Sequence, residues 1–227
     1  RIMMTSSTLC TDTVEEAKQI DAYFHHVRAY IASLEPPVYP FEVDKAKAKK
    51  GEGVYEANCA VCHGTYGDNP TYPNLLIPTD DIGTDDQLAT GATQFADVFV
   101  NWFNDSYYGE TAIFDPKPGY VPPPLDGIWA TAPFLHNGSV PDLATLLEST
   151  KRPKYWTWSR DTKDFNRDTV GWKYTALEKG HADESDANKR KLIYDTSIVG
   201  YSNSGHTYGD GLSSDDRGAV IEYLKTL

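Results

Sequence analysis

The run Cys59-Ala60-Val61-Cys62-His63 constrains this chain more than any other feature. Two cysteines three apart, followed at once by a histidine, form the attachment signature of a c-type haem. On one helical turn, positions 59 and 62 point the same way, so both thiols can reach the two vinyl groups of one porphyrin. His63 then lies under the iron and offers an imidazole nitrogen as the proximal axial ligand. A CxxC pair alone also occurs in zinc sites and thiol redox motifs. A zinc site needs a second ligand pair, and the third cysteine, Cys10, lies far upstream. A thioredoxin-like motif follows a strand, whereas this one ends a run with helical character, Lys45 to Asn58.

Composition narrows the partners. The chain has 227 residues and a formal net charge of −12, so nucleic acid is excluded as the expected ligand, because phosphate binding needs clustered Lys and Arg. An acidic surface favours a basic docking partner. No run of 18 apolar residues is present, so no membrane span is expected. The three cysteines do not make a disulfide scaffold, and Cys10 reads as an idle thiol. The first residue is Arg, which suits a processed chain whose export signal has been removed or a fragment of a longer protein.

Two regions are expected, 1–35 and 36–227. In the first, Thr13 and Glu16 propose a capping box, and Ala17, Ile20, Phe24, Val27, Ile31 and Leu34 propose one amphipathic helix to about Leu34. Pro36 and Pro37 end it, and 36–42 reads as an extended linker. In the second, a helix should run from about Val43 through the haem motif. Residues 64–90 and 108–127 read as loop. A helix is expected over Gln94–Phe103 with Phe95, Val98, Phe99 and Trp102 inward, and another after Pro141. Aromatic segments between 152 and 212, such as Tyr155-Trp156-Thr157-Trp158, suggest short strands. A closing helix should begin with a Ser213/Asp216 capping box and bury Val220, Ile221 and Leu224. Its end, Glu222–Leu227, echoes Ala29–Leu34. The earlier copy is either the tail of a preceding cytochrome domain or an ordinary added helix.

The helix Gly51-Glu52-Gly53-Val54-Tyr55 leading into the motif, together with the terminal Tyr223-Leu224 helix, resembles the crossed helices of class I cytochromes c. A small residue and an aromatic at the crossing would let the backbones approach. The stretch from Pro124 to Pro141, PLDGIWATAPFLHNGSVP, resembles bacterial di-haem cytochrome c peroxidases and, more closely, the di-haem rubber oxygenase family. Tyr72-Pro73-Asn74, Asp81–Asp85, Asn104-Asp105-Ser106 and Ser202–Gly209 carry the same resemblance, so that it covers 36–227 and points to the haem-bearing C-terminal half of such proteins. Those enzymes have two CxxCH motifs and this chain has one. The resemblance implies a mainly α fold, with a class I cytochrome c-like helical core, long loops and a few short β segments.

The opposite face of the iron decides the chemistry. A class I cytochrome uses a methionine after the motif, but Met3 and Met4 both precede it. His206 is the first candidate for the sixth ligand. It sits in a Gly-rich loop before the closing helix, and by resemblance it matches the distal ligand of the second haem in the rubber oxygenases. His136, in the APFLHNG stretch, is the second candidate; its family counterpart more often lies beside the haem. His181 reads as solvated, and His25 and His26 as a surface pair. Asp80, Asp81, Asp85 and Asp86 lack the spacing of a calcium loop. Cofactor-binding residues are therefore expected at Cys59, Cys62, His63, His206, His136 and Trp129, with His63 and His206 on the metal. Trp129 and Tyr208 read as haem-wall aromatics. No catalytic residue is expected.

These residues lead to an exported, periplasmic or extracellular c-type cytochrome with one covalent haem c, transferring electrons through bis-histidine iron. Its partner would be another haem protein or redox subunit, in an oligomer or larger assembly. The alternative is the haem-bearing half of a di-haem peroxidase or oxygenase.

Overall fold

The computed structural model describes residues 11–94, 96–159, 161 and 163–227. Cys10, Met3, Met4 and Phe95 lie outside them. The elements run α1 (Val14–Asp21), α2 (Phe24–Ala32), α3 (Lys45–Asn58), α4 (Ala60–His63), β1 (Ile77–Pro78), α5 (Thr79–Ile82), α6 (Gln87–Gln94), α7 (Ala96–Asp105), β2 (Gly119–Tyr120), α8 (Leu143–Leu146), β3 (Tyr155–Trp158), β4 (Phe165–Asn166), β5 (Gly171–Trp172), β6 (Tyr174–Leu177), α9 (Ala187–Arg190), β7 (Tyr194–Asp195) and α10 (Ser214–Leu224). Helix outweighs strand, and the two longest helices, α3 and α10, build the core around the haem motif. The chain forms two compact units, one of Arg1–Pro36 with Ala92–Pro116, the other of Pro37–Gly91 with Lys117–Leu227. Residues 92–116 thus group with the N-terminal helices.

In the motif-bearing unit, α3 starts at Asp44, whose side chain accepts the Lys47 amide at 3.0 Å. It crosses α10 at Gly51. A Cβ on Gly51 would lie 1.9 Å from the Ala219 carbonyl oxygen, so glycine is what allows the two backbones to meet. One turn further on, the buried Tyr55 ring packs on Tyr223 at 5.2 Å, beside Val220, Ile221 and Leu224. The expected apolar side of the closing helix is the buried one. Its cap is half of what the sequence suggests. Ser213 accepts the Asp216 amide at 3.1 Å, while the Asp216 carboxylate meets the Ser213 hydroxyl and Lys50 Nζ, each at 2.7 Å.

The expected continuous helix through the motif is divided. Cys59 has φ −123° and ψ −34°, which ends α3, and α4 is a separate single turn. The helix after Pro141 is likewise one turn, capped by Asp142 on the Thr145 amide at 2.8 Å. The aromatic segment Tyr155-Trp156-Thr157-Trp158 is the central strand of a three-stranded antiparallel sheet, β6-β3-β7. Trp156 is fully buried and stacks on Tyr194 at 5.1 Å.

The other unit differs more from the sequence pattern. The Thr13–Glu16 capping box is present, but the single N-terminal helix is interrupted between Asp21 and Phe24. Only Ala17 of its expected stripe is buried; Val27, Ile31 and Leu34 are exposed. In the echo of the closing helix, Tyr30 is 67% exposed where its counterpart Tyr223 is 8% exposed. Along α7 the inward face is Phe103, not Val98, Phe99 or Trp102; Val98 is 83% exposed. Phe103 stacks on Tyr108 at 5.5 Å, and Asn104 exchanges two hydrogen bonds with the Phe114 backbone. That return of the chain after α7 sets the buried face, and helical periodicity carries no information about it.

The crossing gives an internally controlled test. Gly51→Ala should destabilise the fold by about 1–3 kcal/mol through overpacking. Gly53→Ala, with nothing within 4 Å of the added Cβ, should be neutral or stabilising by about 0.5–1 kcal/mol. Equal denaturation midpoints for the two variants would show that the close approach is not what holds the helices.

Candidate haem site

His63 is the last residue of α4, and Gly64 turns the chain there with φ +86°. A Cβ on Gly64 would lie 2.0 Å from the Thr71 carbonyl, so this position admits only glycine. Tyr55 donates from its hydroxyl to the Gly64 carbonyl at 3.0 Å, which ties the motif to the helix crossing. The His63 Nδ1–H donates to the Pro123 carbonyl at 2.8 Å. A carbonyl can only accept, so the proton is on Nδ1 and Nε2 keeps its lone pair. The proline run is itself pinned. Tyr72 donates to the Pro122 carbonyl at 2.8 Å, and the Leu125 amide donates to the Tyr66 hydroxyl. Within a stretch that reads as loop in the sequence, one proline carbonyl thus sets the tautomer of the motif histidine.

His206 arrives from a loop far along the chain. Its amide donates to the Ile82 carbonyl at 2.8 Å, and Ser204 Oγ donates to the Gly83 carbonyl at 3.1 Å. Gly205 has φ +71°, and a Cβ there would lie 2.2 Å from the Gly83 carbonyl carbon. His206 itself is held at φ +46°, a left-handed conformation that costs of order 1 kcal/mol for a residue with a side chain. The Ser202 amide donates to Asp85 Oδ2 at 3.3 Å, and the Gln87 amide to Asp85 Oδ1 at 3.1 Å. Asp85, dismissed as a calcium ligand, is thus a brace for the same loop. Arg152, which no motif marks, donates to the carbonyls of Asn203, Gly205 and His206.

The two imidazoles lie close together edge-on, with ring centroids 6.2 Å apart and planes inclined at 66°. A metal held between two imidazole nitrogens, at roughly 2 Å from each and with ring radii of about 1.1 Å, would place the centroids roughly 6 Å apart. The pair fits that group. His206 Nδ1 is buried without a hydrogen-bond partner. Burial holds the His63 imidazole below its ordinary pKa, and the Pro123 bond opposes this only partly. Burial, then the neighbouring His63 and Arg152, push His206 down to about 4. Both rings are therefore neutral at pH 7, the form that binds metal. The Cys59 thiol is pushed up to about 11, first by burial and then by Cys62, so neither its partner nor its setting favours the thiolate. Cys59 and Cys62 form no disulfide with each other, and both are half-buried.

Of the remaining candidates, only Tyr208 has a ring contact with this pair. Tyr208 meets His206 edge-on at 5.2 Å. His136 stacks on Tyr120 at 4.1 Å, and burial lowers its pKa against the pull of Asp85. Tyr120 in turn donates to the Asp85 carbonyl at 2.8 Å. Trp129 has Tyr39 and Phe165 as its ring neighbours and donates from Nε1 to the Pro37 carbonyl at 2.9 Å. It packs the linker onto the unit. His181 is not free in solvent as expected; its ring bonds the Ile193 carbonyl and its amide bonds Asp195. His25 bonds the Ala22 carbonyl and contacts His26. No group of three or more His, Cys, Asp or Glu suited to a metal occurs among the described residues.

Residues 46–98, which contain the motif, match the family described as cytochrome C oxidase, cbb3-type, subunit III. Residues 119–157, which contain Pro123, Trp129, His136 and Arg152, match the family described as RoxA-like, cytochrome c-like. Two Sinorhizobium fredii proteins are similar. Uncharacterized protein y4iM is 30% identical over 88% of this chain, and uncharacterized protein y4iJ is 39% identical over 48% of it. The chain spans 53% of the length of the first and 18% of the second. With one family match over the attachment motif and the other over the proline and histidine stretch, the chain is a haem-binding c-type cytochrome, its haem c covalently bound, that resembles the RoxA-like haem domain.

Proposed function

We propose that this chain is an exported electron carrier in which Cys59 and Cys62 hold one haem c, and His63 and His206 take its two axial positions. The observation that carries this reading is the close pair of neutral imidazoles at 6.2 Å. When bound, haem c supplies an iron that cycles between ferric and ferrous states by single electrons. The chain's contribution is to hold both axial positions. His63 is fixed in its Nδ1–H tautomer by Pro123, and His206 by backbone bonds to Ile82 and its braced loop. With both positions taken by protein nitrogens, a substrate could bind only by displacing one of them, so outer-sphere electron transfer is the chemistry favoured. Two imidazoles also set a lower potential than a methionine–histidine pair.

Export follows from the attachment chemistry, since haem c is joined to its thiols on the outer side of the bacterial inner membrane. No helix among the described residues is long and apolar enough to cross a membrane. The net charge of −12 favours a basic surface on the redox partner. Another haem protein or redox subunit as its partner, in a larger assembly, belongs to the same proposal.

A second reading, the haem-bearing half of a di-haem peroxidase or oxygenase, is favoured by the RoxA-like match over residues 119–157. It would place catalysis on another haem and leave this one as the electron entry point.

The ferric protein should show a low-spin optical and EPR spectrum that peroxide does not change. In His206→Ala, most of the iron should become high-spin, and added imidazole should restore the low-spin form. A wild-type spectrum in that variant would remove His206 from the iron, and a high-spin wild type would favour the enzyme. Intact mass under denaturing conditions should exceed the polypeptide by one haem. Two haems, or none retained, would contradict the single covalent site.

A further inference from the structure

Arg152 makes a set of contacts that the electron-transfer reading does not by itself require. Its guanidinium donates to five backbone carbonyls. Nη1 reaches Asn203 at 2.6 Å and Gly205 at 2.7 Å, Nη2 reaches His206 at 3.0 Å and Leu146 at 3.0 Å, and Nε reaches Thr145 at 3.3 Å. Two of these carbonyls, on Thr145 and Leu146, belong to the single turn α8; the other three belong to the loop that carries His206. Among the described residues no carboxylate lies within ion-pair distance of it. Asp210, whose charge bears on Arg152, is bound to the Ser149 amide at 2.7 Å. The fork is therefore given wholly to peptide oxygens, which lysine could not match because it lacks the planar, pre-set donors.

We propose that Arg152 is the positioning residue of the distal ligand: it clamps the 203–206 backbone to α8 and so keeps His206 in its left-handed conformation, aimed at His63. The proposal rests on the axial role of His206 given above. Gly205 and His206 both have positive φ, a pairing that an unbraced loop would leave for more extended conformations. The His206 amide bond to Ile82 fixes one side of the residue, and the Arg152 bond to the His206 carbonyl fixes the other. Release of the second anchor lets the peptide rotate and withdraw the ring. Arg152 makes no hydrogen bond to either ring; its contacts reach His206 through the backbone, while its charge, which Arg152→Lys retains, also bears on the His206 ring.

The test compares holoprotein variants by EPR spin state and by the rate of cyanide binding to ferric haem. Arg152→Met should give a mixture of high-spin and low-spin iron, with cyanide binding accelerated about tenfold or more as the open form gains population. Arg152→Lys, which keeps the charge and loses the fork, should fall between Arg152→Met and wild type. It also serves as the test if Arg152→Met does not accumulate as folded holoprotein. A purely structural role would lower the melting temperature and leave spin state and cyanide rate unchanged at temperatures where the protein is folded. That result, with His206→Ala still high-spin, would overturn the Arg152 proposal and leave the axial assignment standing. If His206→Ala leaves the spectrum unchanged, both fall, because Arg152 acts through His206.

Discussion

The contact of Gly51 with the Ala219 carbonyl is the constraint on which the motif-bearing unit depends. It is a backbone-to-backbone approach that no other side chain at position 51 would permit. By bringing α3 against α10, it seats Tyr55 on Tyr223, and the Tyr55 hydroxyl then holds the Gly64 carbonyl just past the motif. The haem-attachment turn is thus fixed from below by a helix pair separated by well over a hundred residues. The loop with His206 runs directly into α10, so the same crossing also limits where the second imidazole can be.

The two histidines are held by different kinds of force. His63 is placed by local geometry: a single helical turn, a glycine that must be glycine, and one carbonyl that sets its tautomer. His206 is placed against local preference, with φ +46° and one buried nitrogen without a partner. Left-handed backbone costs of order 1 kcal/mol, and a buried unpaired polar atom about 1–3 kcal/mol. A fold retains such a residue only where surrounding contacts over-determine it, and here Ile82, Gly83, Asp85 and Arg152 supply them. Strain of this kind concentrates at functional sites, which agrees with an imidazole kept ready for a metal.

What could be read from the sequence follows the range of the interactions. The motif, the Ser213 cap and the buried side of α10 are set within one or two helical turns, and residue spacing reports them; the small residue at the helix crossing is marked by the resemblance to class I cytochromes c. His206 was legible because a glycine-rich loop and a family resemblance both marked it. Arg152 was not, because its partners in the 203–206 loop lie about fifty residues away and are peptide oxygens, which leave no trace in side-chain chemistry. Pro123 was missed for the same reason, since its contribution is a carbonyl. The apolar stripe of the first 35 residues misled in the opposite direction: Val27, Ile31 and Leu34 have helical spacing but remain exposed. Periodicity states which face of a helix is apolar, and only a tertiary partner decides whether that face is covered.

This arrangement also bears on how the chain can differ from the di-haem enzymes it resembles. The stretch around His136 is present, but here that ring lies flat on Tyr120 and next to Asp85, within the network that braces the His206 loop. Asp85 thus serves two ends at once, holding Ser202 through its carboxylate and Tyr120 through its carbonyl. A change at His136 would reach the His206 loop through Tyr120, Asp85 and Ser202. The resembling segment then acts as scaffold for the loop that carries His206, and on the proposed axial role of His206 the firmness of that scaffold decides whether the sixth position of the iron stays closed.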